Sequence, residues 1–152
     1  METKEFQIKL LDKSDVQRFK ELIQTFHEIF EMQDSILPKE SFLQSLLNKT
    51  DFIAYVIVYN NNVVGGLTAY KLQMIYGEYS EILIYDIGIK TEFQRNGLGK
   101  VLISTLKEYC KQSGVKEFFV AANEEDKHAL DFYNSTGGKS EKVVHFNYRI
   151  EK

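Results

Sequence analysis

A glycine-containing run, Gln94 to Gly99, stands between an apolar stretch and an amphipathic one. The apolar stretch, Ile82 to Ile89, predicts a buried strand, and the amphipathic stretch, Leu98 to Cys110, predicts a helix. Where a strand passes into a helix, unpaired backbone N–H groups and the positive end of the helix dipole favour an anion. Gly97 and Gly99 lack a Cβ atom, so a phosphate can approach the backbone closely. The run therefore predicts a phosphate site.

Two cationic side chains, Arg95 and Lys100, lie in or next to this run and would add attraction for a phosphate. The run is neither the dinucleotide fingerprint nor the P-loop, whose glycine spacings differ. From these residues alone, the alternative is an ordinary helix entry in which the glycines serve tight packing. The turn by itself leaves both interpretations open.

A second chemical group is Asp86, which interrupts the apolar stretch Ile82 to Ile89. Aspartate is disfavoured in strands and its charge is costly to bury, so its presence there points to a function. Asp86 is therefore a candidate general base or an anchor for a substrate amine. The alternative is an aspartate at a β-bulge, or one paired with a nearby lysine or arginine. The two interpretations are compatible.

Composition and charge exclude several classes of protein. The 152 residues suit one domain, residues 1–152, with a substantial core. The net charge of −3 and the lack of a dense basic block argue against a nucleic-acid partner. The stretch Met1 to Lys9 resembles no signal peptide, and no apolar run is long enough to span a membrane. With a single cysteine and three scattered histidines, we expect a cytoplasmic protein that holds no metal.

The elements that must position these residues are predicted in the order β-α-α-β-β-β-α-β-α-β. An antiparallel meander followed by a strand–helix–strand crossover favours an α/β (α+β) fold, with a mixed sheet and helices on both faces. Ser14 is predicted to cap the first helix, and Pro38 to stand in the first turn of the second. The predicted strands are Glu5 to Leu11, Phe52 to Tyr59, Val63 to Leu72, Glu81 to Lys90, Lys116 to Ala122 and Lys142 to Ile150, and the last two helices end at Gly114 and at Gly137-Gly138.

Two motifs resemble those of the GNAT superfamily of N-acetyltransferases. Gln94 to Gly99 fits the pyrophosphate loop of that superfamily, Gln/Arg-x-x-Gly-x-Gly/Ala, at every fixed position. The later motif Asn-x-x-Ala-x-x-Phe/Leu-Tyr-x-x-x-Gly matches at Ala129, Phe132, Tyr133 and Gly137, whereas Asn123 is displaced by an insertion. The resemblance covers essentially the whole chain. It implies a mostly antiparallel sheet of about six to seven strands flanked by about four helices.

The resemblance implies acetyl-CoA, or coenzyme A, as the cofactor, with direct transfer to an amine. The pantetheine arm would pair with the central strand around Ile87 to Ile89, and an N–H near Ile87 would face the developing oxyanion. Tyr133 would be the general acid for the departing thiolate, unless it is a helix aromatic packed in the core. The cofactor-binding residues implied are Ile87, Gly88, Ile89, Gln94, Arg95, Asn96, Gly97, Leu98, Gly99, Lys100, Asn123 and Phe132.

A closer resemblance is to the gentamicin/fortimicin-type aminoglycoside 3-N-acetyltransferases. It is carried by Ile84 to Ile87, by Val144 to Phe146, and by the pairs Val64-Gly65 and Ala69-Tyr70. It implies a small-molecule substrate, an aminoglycoside acetylated at its 3-amino group, and hence antibiotic resistance. Acidic side chains would attract such a polycation, unless they are only solvated loop residues. The substrate-binding candidates are Asp86, Glu81, Glu124, Asp126 and His145, with catalysis assigned to Tyr133 and Asp86.

Other functions remain open at this stage. The same fold acetylates other amines, such as a polyamine, a small metabolite, or a protein N-terminus or lysine. A chain that binds acetyl-CoA without turnover, as a sensor or interaction module, is the alternative outside the enzymes. Superfamily members are often homodimers, so the resemblance also leaves a homodimer open.

Overall fold

The computed structural model describes residues 5–151, so the first four residues of the charged stretch Met1 to Lys9 lie outside it. The chain forms two compact units, Met1–Ala121 and Ala122–Lys152. Within residues 5–151, no helix is both long enough and apolar enough to cross a membrane. The first unit holds strands β1 (Gln7–Leu10), β2 (Phe52–Tyr59), β3 (Asn62–Gln73), β4 (Ser80–Ile89) and β5 (Val115–Val120), helices α1 (Val16–Ile29), α2 (Glu40–Leu47) and α3 (Leu98–Ser113), and a 3-10 turn (Thr91–Phe93); the second holds α4 (Lys127–Ser135).

The five strands form one sheet in the order β1-β2-β3-β4-β5. The first four pair antiparallel with their neighbours, and β5 pairs parallel with β4 after the α3 crossover. The predicted hairpin between β2 and β3 is present. Asn60 and Asn61 turn it with φ values of 48° and 64°, the positive angles that a tight two-residue hairpin requires.

Different helices cover the two faces of the sheet. Helices α1 and α2 cover one face, where Phe19 and Leu22 belong to the core cluster with β2. At Gly66 a Cβ atom would stand 2.6 Å from Leu22 Cδ1, so a glycine in β3 lets α1 approach the sheet closely. Helix α3 contacts β4 and β5, and its Leu102 and Leu106 are fully buried. The predicted mixed, mostly antiparallel sheet with helices on both faces is confirmed.

The predicted strand count was too high. Residues 5–151 form five strands, and Lys142 to Ile150 forms no regular element. Its apolar side chains are exposed, with Phe146 at 73% and Ile150 at 91%. Alternation of apolar and polar residues marks a segment that can join a sheet, but a strand exists only where a neighbour completes its hydrogen-bond ladder. Among residues 5–151, no strand pairs with this segment.

Two predicted helix starts were also displaced. The N-cap of α1 is Asp15 and not Ser14, because the Ser14 hydroxyl donates a hydrogen bond to Asp12 Oδ1 at 2.6 Å. Pro38 precedes the N-cap residue Lys39 and so lies just before α2 instead of in its first turn. Both helices are otherwise where the apolar spacing predicted them. The predicted ends of α3 at Gly114 and of α4 near Gly137 are confirmed.

Candidate active site

The site begins at a β-bulge in β4. Thr68 lies opposite Asp86, but the next residue of β3, Ala69, lies opposite Ile84. Tyr85 is therefore an extra residue with no partner of its own on β3. The bulge that the sequence left as one explanation of Asp86 is present. The suggested ion pair is not, because no lysine or arginine among residues 5–151 forms one with Asp86.

The bulge brings two adjacent residues to the same face of the sheet. The Thr68 hydroxyl donates a hydrogen bond to Asp86 Oδ2 at 2.6 Å. The Tyr70 and Tyr85 rings meet edge to face, with centroids 5.9 Å apart. Thr68 and Tyr70 are two residues apart on β3 and so share a face. Tyr85 and Asp86 must therefore point to that face too, although neighbours on a regular strand point to opposite faces.

The resulting surface combines one carboxylate with two aromatic rings. Tyr85 is 69% exposed, Tyr70 is 36% exposed, and Asp86 is half-buried. Burial raises the pKa of Tyr70, and the negative charge of Asp86 raises it further, so the phenol stays protonated beside the carboxylate. Such a surface can receive a cation, because the carboxylate offers charge and the rings offer electron-rich faces.

The backbone of β4 becomes available beyond the bulge. Pairing between β4 and β5 ends at Ile84 and Val120, so the later part of β4 has β3 as its neighbour on one side only within residues 5–151. The Lys90 N–H donates to Val64 of β3 at 2.8 Å. Because successive residues of a strand direct their N–H groups to opposite sides, those of Ile87 and Ile89 point away from β3. This open edge is where an extended ligand can add as a strand.

The turn that follows β4 is braced by amide side chains. Gln94 Nε2 donates to the carbonyl oxygen of Ile89 at 3.1 Å, which ties the turn to the end of the strand. Asn96 Nδ2 donates to the carbonyl oxygens of Phe93 and Gln94, at 2.9 and 3.3 Å. Two of the predicted cofactor-binding residues, Gln94 and Asn96, therefore use these amide groups within the turn and shape it.

The same turn exposes backbone donors at the start of α3. Arg95 and Gly97 have φ values of 64° and 74°, and left-handed residues among right-handed ones form a concave arrangement of N–H groups that suits anions. The first backbone bond into α3 runs from Val101 N–H to the Gly97 carbonyl, so the N–H groups of the residues between them have no partner in the helix. The side chains of Arg95 and Lys100 are exposed, and neither forms an ion pair within residues 5–151.

The second unit carries the predicted general acid. Tyr133 is a half-buried residue of α4, and its ring lies 5.2 Å from that of Phe132. Burial raises the pKa of the Tyr133 phenol, and the negative charge of Asp126 raises it further. Asp126 is the N-cap of α4 and accepts a hydrogen bond from Ala129 N–H at 3.1 Å. The Asn123 carbonyl accepts from Asp126 N–H at 3.0 Å, so both residues build the start of this helix.

The remaining predicted substrate residues are spread out. Glu81 lies opposite Leu72 and Asp86 opposite Thr68, four residues apart on β3, which places Glu81 about 13 Å from Asp86 along the sheet at about 3.3 Å per residue. Glu124 is exposed before α4, and His145 is exposed in the irregular C-terminal segment. The structure thus groups Asp86, Ile87 to Ile89 and the turn along one strand and its exit.

Three residues beside Asp86 were not predicted as site residues: Thr68, Tyr70 and Tyr85. The sequence did offer one signal, since Thr68 is a polar residue within the otherwise apolar run from Val63 to Tyr70. Tyr85 gave no signal, because strand alternation predicts that its side chain and that of Asp86 lie on opposite faces.

A protein family and several solved structures are similar to this chain. A family model described as "Acetyltransferase (GNAT) family" matches residues 19–137. The aminoglycoside acetyltransferase meta-AAC0020, from an uncultured soil metagenomic sample and crystallised with sisomicin, is 39% identical, with a TM-score of 0.93 over 96% of this chain and 97% of that one. HMB0005, an aminoglycoside acetyltransferase from an uncultured soil metagenomic sample, is 32% identical, with a TM-score of 0.92 over 97% and 99%. AAC(6')-Iy in complex with CoA shares the fold at 12% identity, with a TM-score of 0.78 over 98% of each chain.

Proposed function

The chain belongs to the GNAT family of acetyltransferases, and we propose that it acetylates an aminoglycoside. The amine that we propose as the acceptor is the 3-amino group. As a GNAT N-acetyltransferase it uses acetyl-CoA. The observation that carries the choice of acceptor is the similarity, along nearly the whole chain, to an enzyme crystallised with sisomicin. The surface formed by the Asp86 carboxylate and the rings of Tyr70 and Tyr85 supports the same choice, because aminoglycosides are polycations.

The residues present fit the cofactor. The turn from Gln94 to Lys100 presents backbone N–H groups, a helix N-terminus and the cationic Arg95 and Lys100 to a pyrophosphate. The open edge at Ile87 to Ile89 offers main-chain partners to an extended pantetheine. Acetyl-CoA supplies the acetyl group as a thioester. These two stretches include Gly88, Gly97, Leu98 and Gly99, and the remaining cofactor-binding residues of this proposal are Asn123 and Phe132.

Each proton transfer is assigned to a named side chain. Asp86 attracts the cationic acceptor to the site. The amine attacks the acetyl carbon in its neutral form, and Asp86 accepts the proton that this nitrogen loses as the new bond forms. Tyr133 donates a proton to sulfur as the carbon–sulfur bond breaks, a role that its raised pKa suits because the phenol remains protonated at neutral pH. The Ile87 N–H supplies a hydrogen bond to the carbonyl oxygen as negative charge builds there. Glu81, Glu124, Asp126 and His145 remain candidates for further contacts with the acceptor.

Direct transfer without a covalent enzyme intermediate is part of the proposal. The chain has one cysteine, Cys110, which lies on the buried face of α3 and is only 7% exposed. Burial raises the pKa of its thiol, so the nucleophilic thiolate is disfavoured. Cys110 is therefore a poor acetyl carrier.

The test is a panel of acceptors. Release of the CoA thiol is followed with gentamicin, sisomicin and fortimicin, and with spermidine and a lysine-containing peptide for comparison. We expect turnover with the aminoglycosides, and NMR of the product should place the acetyl group on the 3-nitrogen. Turnover with spermidine or the peptide alone would overturn the acceptor. Acetylation at another nitrogen would overturn only the position. If acetyl-CoA stabilises the protein against unfolding but no amine in the panel causes release of the CoA thiol, a sensor would be favoured.

A further inference from the structure

Thr68 is an unusual residue for its place in the fold. Its side chain is 6% exposed, one of three buried polar or charged residues among residues 5–151. The second buried threonine, Thr25, donates its hydroxyl proton to the carbonyl oxygen of Glu21 in its own helix at 2.8 Å. The Thr68 hydroxyl instead crosses to the next strand and donates to Asp86 Oδ2. The hydroxyl of Thr68 therefore serves the carboxylate and not its own backbone.

The geometry of this contact restrains the carboxylate. The hydroxyl-to-carboxylate distance of 2.6 Å is that of a charge-assisted hydrogen bond, which is stronger than a neutral one. A β-branched side chain has few χ1 rotamers, and packing in β3 restricts Thr68 further. The hydroxyl is therefore a fixed donor. Asp86 lies directly opposite it, at the last regular pair before the bulge.

Because of this contact, the two carboxylate oxygens of Asp86 differ in their hydrogen bonding. Oδ2 is held by Thr68, whereas Oδ1 has no hydrogen-bond partner among residues 5–151. Asp86 is half-buried and next to the exposed Tyr85, so the free oxygen lies in the part of the site that an amine would enter. Without the threonine hydroxyl, the Asp86 side chain is free to leave this χ1 rotamer for another.

We propose that Thr68 is a positioning residue, which fixes the Asp86 carboxylate so that Oδ1 faces the acceptor amine. This inference rests on the function proposed for Asp86 above. Thr68 does not contact the reacting atoms and acts only through Asp86. Its contribution is orientation, for which displacements near 1 Å can cost about 10²-fold in rate.

Substitutions at the two buried threonines test the proposal. Thr68→Val keeps the shape and removes the hydroxyl, and we expect kcat to fall by about 10- to 100-fold while the KM for acetyl-CoA stays within about twofold. Thr68→Ser keeps the donor and should recover most of kcat. Thr25→Val, the matched control, should leave kcat unchanged. Thermal midpoints close to that of the wild type would exclude a loss of folding.

A double-mutant cycle distinguishes positioning from a structural role. If Thr68 acts through Asp86, Thr68→Val should cost no further activity in an Asp86→Asn background. An equal loss in both backgrounds, or the failure of serine to rescue, would overturn the proposal. The cycle is measured with whichever amine the wild-type enzyme acetylates, so a wrong acceptor overturns the proposed function and leaves this test intact.

A second measurement needs no amine. Side-chain NMR couplings of Asp86 should report one χ1 rotamer in the wild type and in Thr68→Ser, and rotamer averaging in Thr68→Val. A single unchanged rotamer in Thr68→Val would overturn the proposal.

Discussion

The bulge at Asp86 and the turn from Gln94 to Lys100 lie close together in the sequence, but they are built differently. At the bulge, a side chain is held by another side chain from the neighbouring strand. In the turn, positive φ values and a helix N-terminus present backbone N–H groups, and amide side chains brace them. The bulge therefore depends on the chemical identity of its residues, whereas the turn depends on backbone conformation. Substitutions at the bulge should cause the larger losses of activity and affect the reaction of the amine, whereas substitutions in the turn should cause smaller losses and affect the KM for acetyl-CoA.

The largest effect is expected at the bulge. Asp86→Asn keeps the size of the side chain and removes its charge and basicity. We expect kcat/KM for the amine to fall by on the order of 10²–10⁴-fold, the range for loss of a general base, with acetyl-CoA binding unchanged. Asp131→Asn, which removes the same charge from an exposed position of α4, is the control. Wild-type kinetics in Asp86→Asn would leave Asp86 as a structural residue of the bulge.

Tyr133, in the second unit, should resemble Asp86 in that activity depends on the chemical identity of its side chain. Tyr133→Phe removes the phenol proton, and we expect kcat to fall by about 10²-fold while acetyl-CoA still binds. Tyr109→Phe, at a tyrosine of α3 whose pKa is likewise raised by burial, should leave kcat unchanged. Undiminished turnover in Tyr133→Phe would remove this residue as the acid.

The pH dependence gives an independent check on Tyr133. A general acid must be protonated, so activity is kept below its pKa and lost as the pH rises through it. Because burial and then Asp126 raise the pKa of Tyr133, we expect this loss only above the ordinary tyrosine value of about 10. A loss of kcat that begins near neutral pH and disappears in Tyr133→Phe would contradict the raised pKa.

The same contrast explains what the sequence could predict. The turn is local, so consecutive residues carry its glycines and its place between β4 and α3, and these were predicted correctly. The bulge is not local, because one extra residue in β4 shifts the register and reverses the expected direction of Tyr85. The partner of Asp86 could not be found without that register. The predicted strand Lys142 to Ile150 was wrong for a related reason. The alternation of apolar and polar residues favours a strand, but it does not show which strand would pair with it.

Within the turn, the backbone should matter more than any one side chain. Gly97 has a φ of 74°, and a Cβ atom there would meet no atom within 4 Å, so alanine adds backbone strain without a clash. That strain is about 1–2 kcal/mol, which corresponds to a rise of roughly tenfold in the KM for acetyl-CoA if the turn relaxes. Catalysis at saturating acetyl-CoA should be nearly unchanged.

Gly114 provides a matched control for Gly97. It ends α3 with a φ of 67°, and a Cβ atom there would also meet nothing within 4 Å. Gly114→Ala should therefore lower the free energy of unfolding about as much as Gly97→Ala, with no effect on the KM for acetyl-CoA. Equal changes in KM for the two variants would show that general destabilisation, and not the shape of the turn, is responsible.

The smallest effect is expected from the charged side chains of the turn. Arg95 and Lys100 are exposed, so solvent and salt screen their attraction for a phosphate. Arg95→Gln and Lys100→Gln should each raise the KM for acetyl-CoA by about two- to threefold at low salt, and the difference should vanish near 0.5 M salt because the Debye length is then about 4 Å. Lys111→Gln, near the other end of α3, should show neither change. A loss of tenfold or more that persists at high salt would mean that side chains, and not backbone N–H groups, hold the phosphate, and the contrast between the turn and the bulge would fail.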